Sequence, residues 1–309
     1  MFLFNPFLVF AGDKKSFFEN KKEILLGFKT LPAKKKRLYC DKLDLSFKKY
    51  SWGGSGCSHH HYYQGGLSYK KTPLVFSVWG KVKNIDKRYV TLILCGVHGD
   101  EITPMKFCYD ILNYLRKISF EKKIKDKTVV VAPLVSLDSF FKSKPTRTNA
   151  RKVDVNRNFP TRDWYKDAGR LWKYRYRSDP RRNPGKTAMS EEEVLFQMKL
   201  IDRFKPDKIL SVHAPLTMLD YDGPSGFQEA GRVGSQANQL LIQMSQSAKS
   251  YRIKDYPFFP GSLGNYAGNE RNIPTYTLEL PSSDYHKSSN FWKQFRPAIK
   301  NAIFSNLKK

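Results

Sequence analysis

Two histidines and a glutamate in this sequence have the residue types and the spacing of a metal site. His98 and Glu101 lie three residues apart directly after an apolar run, and His213 ends another apolar run much further along the chain. An imidazole and a carboxylate at this spacing can turn towards one point, and nitrogen with oxygen donors is a ligand set that Zn²⁺ accepts. Three protein ligands with an open fourth position would make a catalytic zinc site.

A further carboxylate, Glu279, stands inside an apolar run, residues 275–280. An unpaired carboxylate is costly to bury, so we expect Glu279 to face a polar cavity or water at the metal. There it can take a proton from water and later deliver it to a leaving amine. Taken alone, His213 could be a hydrogen-bonded core histidine and Glu101 a carboxylate favoured by a helix dipole. The combination with Glu279 favours catalysis.

Alternating strand and helix patterns must position these side chains. Runs of β-branched and aromatic residues bounded by turn residues predict buried strands at residues 73–80, 89–96, 128–135, 207–213 and 275–280. Helical periodicity predicts helices at 103–118, 190–204, 234–250 and 290–307. Ser190 and Glu193 are spaced as a capping box. The alternation indicates an α/β domain whose sheet is covered on both faces, with ligands beyond the carboxyl ends of its strands.

The composition describes a large and strongly basic chain. Its 309 residues include 55 Lys and Arg against 28 Asp and Glu, a formal net charge of +27, and 40% are hydrophobic. That content can bury a large core and excludes a disulfide mini-protein, a disordered chain and a membrane bundle. The excess charge predicts either solvated side chains that maintain solubility or an anionic partner, such as nucleic acid, acidic lipid or a carboxylate-rich polymer.

The most basic segment, residues 163–186, interleaves arginine and lysine with tryptophan and tyrosine and is poor in aliphatic residues. Such interleaving suits a surface for nucleic acid or another polymer. It also suits a solvated flap whose aromatic rings pack on the domain. We interpret these residues as a flap beside a site that accepts anionic ligands.

The first 72 residues predict an N-terminal extension to a catalytic domain at 73–309. Residues 1–12 are apolar and end in a small-residue pair, which we interpret as the remnant of an export signal. This interpretation favours the cell envelope or periplasm over the cytoplasm. Residues 13–72 are rich in lysine and glycine and are expected to be loosely ordered.

The cysteines and a histidine triplet carry weaker expectations. Cys40 and Cys57 can form a bridge if the protein is exported. Cys95 lies in an apolar run and Cys108 in a helical pattern, so each is expected to be a buried thiol. The histidines at 59–61 are expected in a mobile loop rather than at a metal, because adjacent side chains do not converge on one ion.

The order of these segments resembles the zinc carboxypeptidase superfamily of the carboxypeptidase A type. The shared order is HGDE at residues 98–101, RTN at 147–149 with VDVNRNFP at 153–160, then the strand-end histidine, then TLELP at 277–281. Within the superfamily the chain most resembles the bacterial murein peptide amidases, through HGDE, NPGKTAMSEEE at 183–193 and PGSLGNY at 260–266. The resemblance spans about residues 73–305. It implies a mixed, doubly covered central sheet of the zinc carboxypeptidase type.

The resemblance also implies roles at the metal. His98, Glu101 and His213 would bind one Zn²⁺ ion. Glu279 would act as general base and then as general acid. Asp154 would accept a hydrogen bond from His98 and so fix the tautomer of that ligand.

Further implied roles concern the substrate. Arg147 would stabilise the oxyanion, and Asn156 and Arg157 would hold the terminal carboxylate of the substrate. The side-chain pocket is implied to involve Ser262, Asn265 and, as counterpart of a pocket tyrosine, either Tyr256 or Tyr266.

The sequence therefore predicts a monomeric zinc-dependent hydrolase that cleaves the bond between γ-D-glutamate and meso-diaminopimelate in peptidoglycan-derived peptides. Such substrates are anionic, and the net positive charge would steer them to the site. One alternative is a carboxypeptidase acting on other peptides, or an aspartoacylase-like deacylase. Another is a non-catalytic protein that binds nucleic acid or cell-wall polymer through residues 163–186. The presence of all four predicted metal and proton-transfer residues argues against this last alternative.

Overall fold

The computed structural model of the chain describes residues 28–80, 89–120, 124, 126–223 and 231–307. Within these residues eight strands form one sheet, in the spatial order β1-β2-β3-β5-β4-β6-β8-β7. The strands are β1 Lys29–Thr30, β2 Tyr63–Leu67, β3 Pro73–Gly80, β4 Tyr89–Cys95, β5 Lys127–Ala132, β6 Lys208–His213, β7 Met218–Asp222 and β8 Thr275–Glu279. The α-helices are α1 Ala33–Lys49, α2 Ile102–Phe120, α3 Leu137–Phe140, α4 Glu192–Phe204, α5 Gly231–Ser247 and α6 Ser288–Phe304.

The centre of the sheet is parallel and its margins are antiparallel. β5, β4, β6 and β8 run in one direction, whereas β7 and β3 run against their neighbours. Every residue of β6, and every residue of β4 after Tyr89, is buried. Strands buried on both sides read as continuous apolar runs, which is why the sequence identifies them.

Helices cover both faces of the sheet. On one face Thr91 Oγ1 in β4 donates a hydrogen bond to the carbonyl of Ala302 in α6 (3.5 Å), and α6 packs against α2 and α5. Strand pairing places Trp79 on this same face. Phe76 lies three residues earlier and so points to the opposite face, where its ring contacts Phe196 of α4. The predicted α/β fold with a mixed, doubly covered sheet is confirmed.

The segment before β3 is part of the packed domain. Tyr39, Leu43 and Phe47 recur every fourth residue of α1 and are buried, and the hydroxyls of Tyr39 and Tyr109 lie 3.0 Å apart. β2 pairs with β3. The expectation of a loosely ordered extension is therefore wrong for residues 28–72, because this helix has an apolar face that packs against Tyr109 of α2. The predicted export-signal remnant lies outside the described residues.

The four cysteines form two disulfide bridges. Cys40 of α1 is joined to Cys57 with a Cα–Cα distance of 5.5 Å. Cys95, at the end of β4, is joined to Cys108 of α2 with a Cα–Cα distance of 6.2 Å. The expectation of buried thiols at Cys95 and Cys108 is wrong, because α2 follows β4 through a short loop and brings the two residues within disulfide reach.

Two other local expectations are wrong. His60 is buried at 1% exposure, with its ring edge-on to Trp79, so the histidine triplet is not a mobile loop. Ser190 and Glu193 do not form a capping box: the Ser190 hydroxyl donates to the Glu191 carboxylate, and Glu193 is buried. Because the Glu193 side chain is buried, its carboxylate does not turn back to accept a hydrogen bond from the backbone at the start of the helix.

The carboxyl ends of three parallel strands meet at one edge of the sheet. Cys95 of β4 is level with Val212 of β6, and His213 of β6 is level with Glu279 of β8. Residues that follow β4 or end β6 and β8 therefore share one region. Among the described helices, none is long and apolar enough to cross a bilayer.

Candidate metal centre and active site

This edge of the sheet brings the three predicted metal ligands together. His98 lies in the loop after β4, Glu101 directly precedes α2, and His213 ends β6. All three are buried, and their candidate ligand atoms lie within 4.8 Å of one another. A single ion can therefore reach two nitrogens and a carboxylate.

The Glu101 carboxylate lies between the two imidazoles. His98 Nδ1 is 2.7 Å from Glu101 Oε1, and His213 Nδ1 is 2.9 Å from Glu101 Oε2. The other ring nitrogens have partners behind them: His98 Nε2 is 3.0 Å from Asp154 Oδ1, and His213 Nε2 is 2.9 Å from Ser211 Oγ. Both Nδ1 atoms thus face one point, and their orientation is fixed from the far side of each ring. This donor set fits Zn²⁺.

Two carboxylates of the site, Glu101 and Asp154, are held in their charged form. Burial alone would raise the pKa of Glu101, but the facing imidazoles lower that pKa overall. Burial would also raise the pKa of Asp154, yet the Arg147 guanidinium and His98 hold it far below its ordinary range. A metal ligand and its orienting carboxylate both need this ionised state.

Arg147 joins the two carboxylates at the wall of the cleft. Its Nε donates to Asp154 Oδ2 at 3.0 Å, and its Nη1 donates to Glu101 Oε1 at 3.2 Å. The side chain is 18% exposed and lines the cleft. A guanidinium held in this way can present its remaining N–H groups to a reacting oxygen.

Glu279 ends β8 directly beside His213. It is 8% exposed, lines the cleft, and accepts a hydrogen bond from Leu216 N at 3.2 Å. Burial raises the pKa of Glu279, and the negative charge of Glu101 adds to this effect. A carboxylate with a raised pKa beside the metal ligands is suited to accept a proton and give it back.

A cleft of about 490 Å³ opens over the three predicted metal ligands. Asn156 and Arg157 form part of its wall. Asn156 Oδ1 accepts a hydrogen bond from Leu263 N at 2.8 Å, and the Arg157 guanidinium lies 4.4 Å from the centre of the Phe259 ring. Arg157 Nε has no hydrogen-bond partner among the described residues. A buried donor without a partner is available to a carboxylate ligand.

The predicted side-chain pocket is brought together only in part. Ser262 and Tyr256 line the cleft. Asn265 does not reach the described cleft wall, because its amide donates to Asp163 at 3.2 Å. Tyr266 is also turned away and stands against Arg271, 3.5 Å from ring centre to guanidinium. Of the two tyrosine candidates, the structure thus leaves Tyr256 at the cleft.

Sequence reasoning missed the acidic wall of the cleft. Asp220 and Asp222 alternate along β7, on the same face as Thr277 of the neighbouring β8, and all three line the cleft. Asp222 Oδ2 accepts a hydrogen bond from Thr277 Oγ1 at 3.0 Å. The alternation in MLDYD, residues 218–222, is the signal that could have identified both the strand and its polar face.

The flap, residues 163–186, lies beside the cleft as expected. Arg181 and Arg182 line it. Arg181 Nη1 also donates to Asp100 Oδ2 at 2.6 Å, which connects the flap to the loop that carries His98. The flap also places Asp179 in the cleft lining, where its carboxylate lies 3.9 Å from Arg182 Nε.

Two histidines and a glutamate that could hold one metal ion, with a further carboxylate beside them at the carboxyl edge of an α/β sheet, fit the class of metal-dependent hydrolases. Comparison with known families is more specific. The zinc carboxypeptidase family model matches residues 57–303, so the chain belongs to that family. The predicted family and the predicted enzyme class are confirmed, and the family implies zinc as the metal.

Individual relatives agree with this family. Murein peptide amidase A of Vibrio campbellii is 31% identical over 193 residues, which are 62% of this chain and 68% of that protein. Murein peptide amidase A of Escherichia coli K12 is 29% identical over 198 residues, 62% of this chain and 72% of that protein. Bovine thrombin-activatable fibrinolysis inhibitor, solved with a tick carboxypeptidase inhibitor, has a TM-score of 0.61 at 18% identity, covering 83% of this chain and 94% of that chain. This last likeness shows the shared fold.

Proposed function

We propose that the protein uses one Zn²⁺ ion to hydrolyse the bond between γ-D-glutamate and meso-diaminopimelate in peptidoglycan-derived peptides. The observation that carries the proposal is the convergence of His98 Nδ1 and His213 Nδ1 on the Glu101 carboxylate, at a cleft that Glu279 also lines. The relatives named murein peptide amidase A, at about 30% identity, support this choice of substrate.

The residues divide the chemistry among them. Zinc held by the three ligands would polarise the scissile carbonyl and lower the pKa of a water molecule to about 7. Glu279 accepts the proton of the attacking water and returns it to the leaving amine. Arg147 stabilises the negative charge that develops on the carbonyl oxygen, where one positioned donor is worth roughly 3 kcal/mol.

The lining of the cleft holds both basic and acidic side chains, which match a substrate that carries both signs of charge. Arg157 offers its unpartnered Nε to the carboxylate next to the scissile amide. On β7, burial together with repulsion from Asp222 raises the pKa of Asp220 to about 7, and burial raises the pKa of Asp222 to about 6. A cation between these carboxylates relieves both effects. Diaminopimelate supplies an ammonium beside its second carboxylate.

The same acidic wall favours a second candidate. A carboxypeptidase that releases C-terminal lysine or arginine would also place a cation against Asp220 and Asp222. Relative turnover separates the two candidates: faster hydrolysis of peptides ending in lysine or arginine than of the murein tripeptide would reject our substrate assignment.

The direct test is mass spectrometry of L-alanyl-γ-D-glutamyl-meso-diaminopimelate incubated with the protein. We expect release of diaminopimelate, its loss with a chelator and its recovery with added Zn²⁺. Glu279→Gln should lower the rate by roughly 10² to 10⁴ while metal binding remains, because only the proton acceptor is lost. The matched peptide ending in L-lysine, which lacks the second carboxylate, measures what that group contributes. An inactive protein with Zn²⁺ bound would contradict the proposal.

We also propose that the protein acts as a monomer in the cell envelope or periplasm. The two disulfide bridges support this location, since disulfides persist in oxidising compartments. Thiol labelling of the protein in separated cell fractions tests the location, and the mass in solution tests the monomer. Free thiols at all four cysteines, or a stable dimer, would contradict the respective proposal.

A further inference from the structure

The flap, residues 163–186, is an ordered structure rather than a loose basic loop. It contains two helical turns, Trp164–Ala168 and Leu171–Arg175. Trp164 is buried and its Nε1 donates to the carbonyl of Arg157 at 2.8 Å, while Trp172 Nε1 donates to the carbonyl of Asp179 at 2.7 Å. The Trp164 indole therefore joins the flap to the Arg157 backbone, and the Trp172 indole joins two parts of the flap to each other.

This ordered flap displays an excess of positive charge. It contains eight basic and three acidic residues, a net charge of +5. Seven of the basic residues are exposed: Lys166, Arg170, Lys173, Arg175, Arg177, Arg181 and Lys186. Among the described residues, only Arg170 and Arg181 of these seven form ion pairs, with Asp167 and Asp100. Holding the other cations close together costs repulsion, which an anionic partner would remove.

Two tyrosines of the flap have exposed rings. Tyr165 is 76% exposed and Tyr174 is 72% exposed, although the tryptophans of the same segment are packed. Lys173 Nζ lies 5.4 Å from the centre of the Tyr174 ring. Exposed rings between cations are typical of surfaces that hold a charged polymer, because the rings stack on flat groups while the cations bind its anions.

The flap surface is continuous with the cleft. Arg182 lies over the Tyr176 ring at 4.5 Å and lines the cleft together with Arg181. Basic side chains thus extend from the cleft mouth, where Arg181 and Arg182 pair with Asp100 and Asp179, to the exposed cations of the turn at Leu171–Arg175. A ligand longer than the cleft would meet this surface as it leaves the site.

We infer that the flap binds the carboxylate-bearing glycan-peptide polymer from which the peptide in the cleft extends, so that the enzyme acts on wall-attached substrate. This inference rests on the proposed function, which supplies the chemistry of the cleft ligand. Nucleic acid would also satisfy a basic, aromatic surface. It does not account for the continuity of that surface with a peptidase cleft, so the polymer is the better partner.

The test compares purified murein that bears tripeptide stems with the free tripeptide. The flap variant Lys166→Gln/Lys173→Gln/Arg175→Gln removes three exposed cations that form no ion pair with described residues. A matched control, Lys34→Gln/Lys35→Gln/Lys48→Gln, removes the same charge from the exposed face of α1, which does not line the described cleft. Co-sedimentation with murein gives binding, and diaminopimelate release gives turnover.

We expect the flap variant to bind murein roughly tenfold more weakly at low salt and to hydrolyse the free tripeptide within about twofold of the unchanged protein. Tyr174→Ala should weaken murein binding in the same direction without changing the charge. Equal losses in the flap variant and the α1 control, or no loss in either, would overturn the inference. So would a flap variant that loses only affinity for a DNA duplex.

The two proposals fail separately. A protein that binds murein through the flap but leaves the free tripeptide intact would reject the proposed bond, and the inferred surface would stand on the binding data. A protein that cleaves the tripeptide and ignores the flap substitutions would reject the surface and leave the proposed reaction untouched.

Discussion

Asp154 is the residue on which several site groups depend. It is fully buried, and its Oδ1 lies 3.0 Å from His98 Nε2 and accepts a hydrogen bond from Asn156 N at 3.0 Å. Its Oδ2 accepts from Arg147 Nε. One carboxylate thus orients a predicted metal ligand, the proposed oxyanion donor and the turn that carries the proposed carboxylate-binding residues.

We predict that Asp154→Asn lowers the affinity for Zn²⁺ by roughly 10- to 100-fold, because the amide no longer fixes the His98 ring with a negative charge. Competition with a chromogenic chelator measures this affinity. Asp110→Asn, which alters an ion pair with Lys106 away from the cleft, is the control and should leave it unchanged. If Asp154→Asn abolished hydrolysis at full zinc affinity, Asp154 would act through Arg147 and not through the metal ligand.

At the scale of elements, α4 supports the loop that carries Arg147 and Asp154. Asn149 in that loop donates from its amide nitrogen to Glu191 at 2.8 Å and to Glu193 at 2.9 Å. Its oxygen accepts from the backbone of Val153 at 3.0 Å. The loop is therefore held by two buried carboxyl groups at the start of α4.

The second of these carboxyl groups makes stability depend on pH. Burial raises the pKa of Glu193 to about 7, from an ordinary value of 4.5. Between these values the folded protein keeps a proton that the unfolded chain releases, so the contribution of Glu193 to stability is fully present below about pH 4.5 and is lost as pH rises through about 7. We predict that Glu193→Gln reduces this loss by on the order of 2 kcal/mol.

Urea unfolding at about pH 5 and about pH 8 measures this difference. Glu192→Gln, one residue away and exposed, is the matched control and should keep the pH dependence of the unchanged protein. The raised pKa values of Asp220 and Asp222 also make stability fall as pH rises. This contribution is the same in the unchanged protein and in both variants, so it cancels in the comparison. A Glu193→Gln variant with the unchanged slope would show that this carboxyl is ionised in the folded state.

The helix α1 gives a second prediction at this scale. Leu43 is fully buried in the core, whereas Leu45 on the same helix is 68% exposed. We expect Leu43→Ala to lower the free energy of unfolding by about 3 kcal/mol through lost burial and a cavity, and Leu45→Ala to change it by less than about 0.5 kcal/mol. Denaturant-induced unfolding measures the free energy of unfolding of both variants. Equal effects would mean that the N-terminal segment is not packed on the domain.

The sequence predicted those elements whose residue pattern is visible within the segment itself. Strands β4 and β6 are continuous apolar runs, and the side chains at their carboxyl ends could be assigned to one edge from the fold class alone. The convergence of His98, Glu101 and His213 followed from that assignment. The acidic residues of β7 and the packing of α1 were missed, because each depends on which distant surface covers a short, polar-rich segment.

At the scale of the whole molecule, the charge is unevenly placed. The chain has a net charge of +27, yet Asp220 and Asp222 form one wall of the cleft. Arg147, Arg157 and two arginines of the flap line the same cleft. We therefore propose that the net charge attracts an anionic substrate from a distance, and that Asp220 and Asp222 select for a cationic group only at the site.

Salt should therefore change activity and stability in opposite directions. Between about 0.01 M and about 1 M NaCl the Debye length falls from about 30 Å to about 3 Å, so we predict a roughly tenfold lower kcat/KM for the murein tripeptide as steering is screened. Over the same range the free energy of unfolding should rise, because repulsion among the 55 Lys and Arg is also screened. Steady-state kinetics and thermal unfolding give the two quantities. A tripeptide with its second carboxylate amidated controls for effects of salt on the chemical step, and an equal fall in kcat/KM for that peptide would contradict steering by the net charge.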